Sequence, residues 1–226
     1  TLALFVCWLG FAQPAYNFSK MQREKLGRGV VALRQDAQTV FVSWRYLSAD
    51  PLDVSFNVYR NGKKINQKPV SESTCFYDHR EETTEAVYTI KAISQSTKTA
   101  LPEGRYKLSA NAPAGYLNIP LNRPQGGVTP SGETYTYIPN DASIGDVDGD
   151  GEYEIILKWD PSNAHDNAHN GYTGPVLFDC YRLDGKHLWR INLGRNIRAG
   201  AHYTQFMVFD FDGDHRAEVV MKTSDG

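Results

Sequence analysis

Two acidic stretches decide how this sequence folds. The first is residues 146–158, DVDGDGEYEIILK, and the second is residues 210–222, DFDGDHRAEVVMK, which lies 64 positions further on. Both place Asp at positions 1, 3 and 5, Gly at position 4 and Glu at position 9. Both then continue into a β-type apolar run that ends in Lys. Internal repetition on this scale is typical of a propeller or a similar array of β units.

The spacing of the acidic residues predicts a metal site in each stretch. Carboxylates at alternating positions of a tight turn can converge on one centre, and Gly at position 4 permits the backbone angles that this requires. A backbone carbonyl at position 7 adds an oxygen, and six or seven hard oxygens describe Ca²⁺ far better than zinc or copper. The predicted calcium ligands are Asp146, Asp148, Asp150, Glu152 and Glu154 in the first loop and Asp210, Asp212, Asp214, Arg216 and Glu218 in the second, with Glu152 and Arg216 contributing carbonyls.

Two alternatives compete with this interpretation. An EF-hand also begins Asp-x-Asp-x-Asp-Gly, but it needs an acidic residue at position 12 and a helix afterwards. Position 12 is Leu157 in one copy and Met221 in the other, and strand-like residues surround both. The second alternative is an acidic turn that holds no metal and is satisfied by Asx hydrogen bonds. Two copies in register favour the metal.

The region upstream of the loops predicts a β-sandwich. Runs rich in β-branched and aromatic residues, such as residues 40–44, 54–59 and 86–90, recur between turns, and Asn61-Gly62 is a strong hairpin signal. We therefore expect a fibronectin type III or immunoglobulin-like domain over residues 28–111, with Trp44 in its core. Nothing in this domain groups acids, bases or metal ligands, which favours a structural or carbohydrate-presenting role.

A Pro- and Gly-rich linker is predicted at residues 112–130, and residues 131–226 are predicted to form blades of a propeller. A four-stranded blade takes about 40 to 50 residues, so two blades fit at most. The polar segment 160–171 exceeds what the blades need and is a candidate binding loop. The whole sequence is thus expected to be all-β, a β-sandwich followed by the first blades of a calcium-binding propeller that is truncated.

Composition and the first residues narrow the class of protein. The chain has 226 residues, and its 24 Lys plus Arg nearly balance its 26 Asp plus Glu. It therefore has no broad positive electrostatic field that would attract nucleic acid or anionic lipid. Residues 1–12 are apolar, too short to span a bilayer, and typical of the end of a secretory signal peptide. We expect a secreted, extracellular or periplasmic protein without a membrane span once mature, with Cys75 and Cys180 as free thiols.

Longer motifs resemble a known family. Residues 137–143 (YIPNDAS), 158–161 (KWDP), 170–174 (NGYTG) and 197–206 (IRAGAHYTQF), together with the first acidic loop, resemble rhamnogalacturonan lyases of polysaccharide lyase family 11. The resemblance covers nearly the whole mature chain. It implies an eight-bladed calcium-bearing propeller, of which this sequence holds the N-terminal part, in a secreted bacterial enzyme that degrades the rhamnogalacturonan I backbone of pectin.

The resemblance also implies individual roles. It makes Asp141 a further ligand of the first calcium ion, and Asn140 and Asp160 residues that contact the saccharide. Without it, Asn140 reads as a turn residue and Asp160 as a cap before Pro161.

The reaction implied is calcium-assisted β-elimination between rhamnose and galacturonate, in which a cation neutralises the uronate carboxylate. Candidates for the base are Lys158, Lys222, His165, His169 and His202. The base is equally expected in the part of the protein beyond this sequence.

Three further expectations and one rival function follow. We expect several calcium ions, a monomer, and no lyase activity from the fragment alone, because ions saturated by loop ligands brace blades and have no open position for substrate. The rival function is a non-catalytic, calcium-stabilised propeller for carbohydrate binding or adhesion. The Lys158–Pro161 motif and the long polar insertion favour the enzyme, since a purely structural blade requires neither.

Overall fold

Every element of secondary structure in the described part of the chain is a β-strand, paired antiparallel. The structure is a computed structural model and describes residues 22–80, 84–166, 168–200 and 202–224. The predicted signal segment, residues 1–12, lies outside these ranges. No helix within them is long and apolar enough to cross a membrane. The all-β fold class predicted from the sequence is confirmed.

The first part of the chain forms two sheets around one core. A three-stranded sheet has the order β1-β2-β5 and a four-stranded sheet has the order β4-β3-β6-β7. The strands are β1 (Val31–Arg34), β2 (Thr39–Ser43), β3 (Ser55–Arg60), β4 (Lys63–Lys64), β5 (Cys75–His79), β6 (Ala86–Ile93) and β7 (Glu103–Leu108). Alternate residues of β1, β2, β3 and the first part of β6 are buried, as expected where each sheet has one face on the core and one in solvent.

Two details of this region confirm the sequence interpretation. Trp44 is 5% exposed and packs edge-on against Phe56 with ring centroids 5.3 Å apart. Asn61 and Gly62 have φ of 49° and 80° and join β3 to β4, as a two-residue hairpin with positive φ at both central positions requires.

The second part of the chain is built around a four-stranded sheet with the order β10-β11-β12-β13. Two short pairs accompany it, β8 with β9 and β14 with β15. The strands are β8 (Gly127–Val128), β9 (Thr134–Tyr135), β10 (Tyr137–Gly145), β11 (Glu154–Pro161), β12 (Leu177–Arg182), β13 (His187–Asn192), β14 (Phe206–Phe209) and β15 (Glu218–Met221). Strand β14 contacts β10, so the last strand pair lies against the four-stranded sheet.

Strand β11 is the centre of this region, because its two faces carry different side chains. Leu157 and Trp159 contribute to one apolar cluster, and Ile156 contributes to a second cluster on the opposite face. Glu154, Lys158 and Asp160 share the face of Ile156, since side chains alternate along a strand. Three ionisable groups therefore lie in a row on a buried strand, between the first acidic loop and the polar insertion.

A buried carboxylate fixes the linker to this sheet. Asp179 on β12 accepts hydrogen bonds from the Trp159 indole at 2.8 Å, the Tyr181 hydroxyl at 2.6 Å and the Arg190 guanidinium at 2.6 Å. Arg190 also donates to the carbonyl of Asn122 at 2.5 Å, and the Asn122 N–H donates to Tyr181. Both free thiols predicted from the sequence, Cys75 and Cys180, are found.

Candidate metal centre

The first acidic loop connects β10 to β11 and folds back on its own carboxylates. Asp146, fully buried, accepts hydrogen bonds from the N–H groups of Gly149 at 2.7 Å and Gly151 at 2.9 Å. The Val147 N–H donates to Glu154 at 3.0 Å. Gly149 and Gly151 have φ of 77° and 89°, which residues with a side chain rarely adopt. The glycines thus allow the turn to bring position 9 back over position 1.

The second loop, between β14 and β15, repeats this geometry at the offset of 64 residues. Asp210 accepts from Gly213 at 2.7 Å and from His215 at 3.2 Å, and the Phe211 N–H donates to Glu218 at 2.8 Å. His215 takes the place of Gly151 and still has φ of 79°. A non-glycine residue in this region is held there against its own preference. The repeat seen in the sequence is therefore a repeat of hydrogen bonds as well.

In each loop three carboxylates converge. Oxygens of Asp146, Asp148 and Glu154 all lie within 4.8 Å of one another, and so do those of Asp210, Asp212 and Glu218. The other predicted ligands, Asp150, Glu152, Asp214 and Arg216, lie on the same loops, where Asp150 and Asp214 accept hydrogen bonds from the N–H groups of residues 152 and 216. Their coordination of a metal stays a prediction.

Glu154 shows that the first loop fits a cation. Its side chain is 1% exposed, and its Oε1 has no hydrogen-bond partner among the residues that the structure describes. Burial, together with the charges of Asp148 and Asp146, raises the pKa of Glu154 to about 7. Burial also raises the pKa of Asp146. An ionised carboxylate is costly in this position without a positive charge, and a hard divalent ion among carboxylate oxygens removes that cost.

A segment that sequence reasoning missed contacts both loops. Residues 22–29, here called the strap, belong to no strand, and N–H groups of two of them donate to the position-6 carbonyl of each loop. Lys25 donates to His215 at 3.2 Å, and Gly27 donates to Gly151 at 2.6 Å. Two equivalent carbonyls thus accept hydrogen bonds from two residues of the strap that lie two positions apart in the sequence.

The strap is anchored in the sandwich. Arg28 and Asp50 form an ion pair at 2.5 Å in which both side chains are fully buried. Arg45 donates to the carbonyls of Gly27 and Gly151 at 3.1 and 3.3 Å, and lies 3.5 Å from the Glu152 carboxylate. The acidic loops are therefore tied to the upstream domain through the backbone of the strap. Local sequence patterns carry no signal for such contacts.

A second polar cluster lies at the far end of β11. The Lys158 ammonium, 1% exposed, is 3.6 Å from Asp141 and 3.8 Å from Asp160. Asp160 is 6% exposed, its Oδ1 has no hydrogen-bond partner within the described ranges, and burial raises its pKa against the lowering effect of Lys158. Asn140 is exposed in the irregular stretch of β10 between Pro139 and Ala142. The two predicted saccharide contacts thus lie on paired strands, because Asp160 pairs with Ile138, two positions before Asn140.

Asp141 belongs to this second cluster in the structure. It lies beside Lys158, which is four residues along β11 from Glu154, a separation of about 13 Å at 3.3 Å per residue. Asp141 is not one of the three carboxylates of the first loop whose oxygens converge, and its coordination of that ion stays a prediction.

The candidate bases occupy different environments. Lys158 is buried between carboxylates, whereas Lys222 and His202 are exposed. His165 and His169 lie on the insertion with ring centroids 6.2 Å apart, and Nε2 of His165 is buried. The described residues do not gather these five groups into one constellation.

Arg198 shapes the insertion, which sequence reasoning did not anticipate. Its guanidinium donates to the carbonyls of His169 and Gly171 at 3.0 and 2.9 Å. The Tyr203 hydroxyl donates to Asp166 at 2.9 Å. The polar loop after β11 is therefore held by contacts from the motif at residues 197–206.

Fold and site define a class: an all-β protein with two repeated acidic loops, each of which gathers three carboxylates suited to a hard cation. Two family models match the chain. "Rhamnogalacturonan lyase family 11, C-terminal domain" matches residues 116–226, and "Rhamnogalacturonan I lyases beta-sheet domain" matches residues 21–104. The chain belongs to rhamnogalacturonan lyase family 11.

Curated relatives from Bacillus subtilis (strain 168) agree with this assignment. The chain is 56% identical over 207 residues to the rhamnogalacturonan exolyase YesX and 56% identical over 205 residues to the rhamnogalacturonan endolyase YesW. These alignments cover 92% and 91% of this chain but 33% and 32% of the relatives. The chain spans about a third of the length of the curated relatives that it matches.

Solved structures give the same result. The chain superposes on the exotype lyase YesX with a TM-score of 0.77, on YesW with 0.79, and on the Bacillus licheniformis rhamnogalacturonan lyase PL11 with 0.81, each at 55% identity. Each superposition covers 91% of this chain, and 33% of the YesX chain and 34% of each of the other two.

Proposed function

We propose that this chain is part of a pectin-degrading lyase that cleaves rhamnose–galacturonate bonds of rhamnogalacturonan I. The observation that carries the proposal is the match of both lyase family models, supported by 56% identity to relatives named as rhamnogalacturonan lyases. The function is thus inferred for the whole protein of which these residues form a part. Secretion into an extracellular or periplasmic space, and a monomeric state, belong to the same proposal.

The cluster at the end of β11 is proposed to bind the saccharide. Oδ1 of Asp160 is a buried acceptor with an ion-pair contact to Lys158 at 3.8 Å but no hydrogen-bond partner in the described part of the chain, so a sugar hydroxyl that reaches it can donate to it. Asn140 is exposed, lies two positions after Ile138, which pairs with Asp160, and its amide offers both donors and an acceptor. Burial raises the pKa of Asp160, and the Lys158 ammonium, 3.8 Å from its Oδ1, acts in the opposite direction and favours the charged carboxylate. This pairing strengthens hydrogen bonds from the sugar.

Both acidic loops are proposed to bind Ca²⁺. The ligand groups are Asp146, Asp148 and Glu154 in the first and Asp210, Asp212 and Glu218 in the second. Bound calcium would supply the charge that lets these carboxylates ionise together, and so would brace the turns between strands. In β-elimination the proton next to the uronate carboxylate is removed and the glycosidic oxygen leaves, and the family resemblance implies a cation at that carboxylate. The residues of this chain position the sugar for that step.

The finer architecture is also a proposal. Strand orders β1-β2-β5 and β4-β3-β6-β7 support a fibronectin type III-like sandwich, because that fold pairs its strands in the same two groups. The four-stranded sheet β10-β11-β12-β13, followed by β14 and β15 with an equivalent loop, supports successive blades of a propeller.

The test is an elimination assay on rhamnogalacturonan I. We expect the gene product that contains these residues to generate the ultraviolet absorbance of an unsaturated uronate, and a chelator to abolish it. Asp160→Asn should reduce kcat/KM strongly, whereas Asp184→Asn, on the exposed turn after β12, should not. The 226-residue chain alone is expected to be inactive. Binding of the polysaccharide without any absorbance from the full gene product would instead support a non-catalytic, carbohydrate-binding propeller.

A further inference from the structure

Arg182, at the end of β12, contacts the outer carboxylates of the first acidic loop. Its Nη2 contacts Oδ2 of Asp150, and its Nη1 lies 3.8 Å from Oδ2 of Asp148. All three side chains are about one-third exposed. The pairing of β11 with β12 places Arg182 opposite Glu154, so the guanidinium is held at the loop by the sheet itself.

The oxygens that Arg182 engages accept no backbone hydrogen bond. Oδ1 of Asp148 accepts the N–H of Asp150, and Oδ1 of Asp150 accepts the N–H of Glu152. Oδ2 of each carboxylate is therefore its less occupied oxygen, and Arg182 lies near both. A divalent ion that used positions 3 and 5 of this loop would compete with the guanidinium for the same atoms.

The second loop differs from the first in its ion pairs. Asp212 and Asp214 make the same Oδ1 hydrogen bonds, with the N–H groups of residues 214 and 216. Within the described ranges, however, no ion pair reaches any carboxylate of residues 210–218. Arg216 itself leans away from its own loop: a methyl group added at Gly149 would lie 2.7 Å from its Nε. The two loops thus share a backbone and differ in charge.

We propose that Arg182 is a built-in counter-ion of the first loop, which lowers the affinity of that loop for calcium relative to the second. This inference rests on the proposed binding of calcium. In the metal-free protein the guanidinium stabilises Asp148 and Asp150, and calcium must displace it. The second loop has no such competitor, so the loops fill in order, the second before the first.

The experiment isolates the first loop and measures calcium binding by titration calorimetry, with terbium luminescence as a second readout. Asp212→Asn removes a ligand of the second loop and leaves the first. In this background Arg182→Gln should tighten calcium binding roughly threefold to tenfold, as expected for loss of ion pairs that are partly exposed. The matched control Arg195→Gln changes an exposed arginine elsewhere and should leave the affinity unchanged.

Thermal unfolding separates this role from a purely structural one. Arg182→Gln should unfold at a lower temperature than the parent in chelator, and this difference should shrink or vanish in saturating calcium. Affinity that is unchanged or weaker in Arg182→Gln, while the parent binds two ions, would overturn the inference and leave the metal sites standing. A parent chain that binds no calcium at millimolar concentrations would overturn both.

Discussion

The substitution Glu154→Gln tests the first loop most sharply, because it should stabilise the chain in chelator and lose most or all of that advantage in calcium. Gln keeps an oxygen that can accept the Val147 N–H, which is 3.0 Å away, and removes only the charge. The Glu154 side chain is 1% exposed, and its pKa is raised by burial from 4.5 to about 7. Between about pH 4.5 and pH 7, the Glu154 carboxyl is therefore protonated in the folded, metal-free chain and ionised in the unfolded chain.

The sign and size of the effect follow from this shift. A carboxyl group whose pKa is higher in the folded state costs stability as pH rises from about 4.5 through about 7. At pH 8 the full cost is roughly 3 kcal/mol, and at pH 4 it is close to zero. In chelator at pH 8, Glu154→Gln should therefore stabilise the chain by up to about 3 kcal/mol. With calcium at about 100 times its dissociation constant, the parent gains about 2.7 kcal/mol that the variant largely loses.

Urea unfolding of parent and variant at pH 8 and at pH 4, each in chelator and in calcium, measures the free energy of unfolding in all four conditions. Glu72→Gln, an exposed position in the sandwich, is the matched control and should change stability by less than about 0.5 kcal/mol in every condition. A Glu154→Gln chain that is less stable than the parent at pH 8 both with and without calcium would refute the reasoning. Glu154 would then act as a structural acceptor and not as a cation ligand.

Two further substitutions test the elements that position the site. Burial raises the pKa of Asp179, but hydrogen bonds from Arg190, Tyr181 and Trp159 outweigh burial and lower the pKa below 3.8. The stabilisation from the ionised carboxylate is therefore present above about pH 4 and is lost as pH falls below that value. Asp179→Asn should destabilise the chain by about 3 kcal/mol at pH 7 in urea unfolding, and by much less at pH 2. Gly151→Ala should destabilise the chain by more than Gly132→Ala, which costs about 1 kcal/mol for a similar positive φ in open space. Of these two positions, only at 151 does the added methyl approach another backbone, 3.0 Å from the Gly27 nitrogen. Equal losses in the two variants would show that the strap contributes nothing.

Features written into short stretches of sequence were predictable. The hairpin at Asn61-Gly62, the buried Trp44 and the strands after both acidic loops follow from turn chemistry and hydrophobic alternation, which act over a few residues. The loops themselves were predictable because an Asx turn and a glycine at positive φ are local devices, and because a second copy confirms the first.

Features that depend on contacts between distant residues were not predictable. The strap reaches the loops across more than a hundred residues, through backbone groups that carry no sequence signal. Arg182 is one arginine among many until the pairing of β11 with β12 places it opposite Glu154. Asp141 was assigned to the first loop from the resemblance, and its ion pair with the buried Lys158 was not indicated by the sequence.

The central claim is that each acidic loop of this chain holds one divalent cation, and calcium titration of the chain by calorimetry tests it most directly. We expect two bound ions per chain, one lost in Asp148→Asn and the other lost in Asp212→Asn, since each substitution removes one of three converging carboxylates. Binding of no ions, or the loss of both ions in either variant, would contradict it.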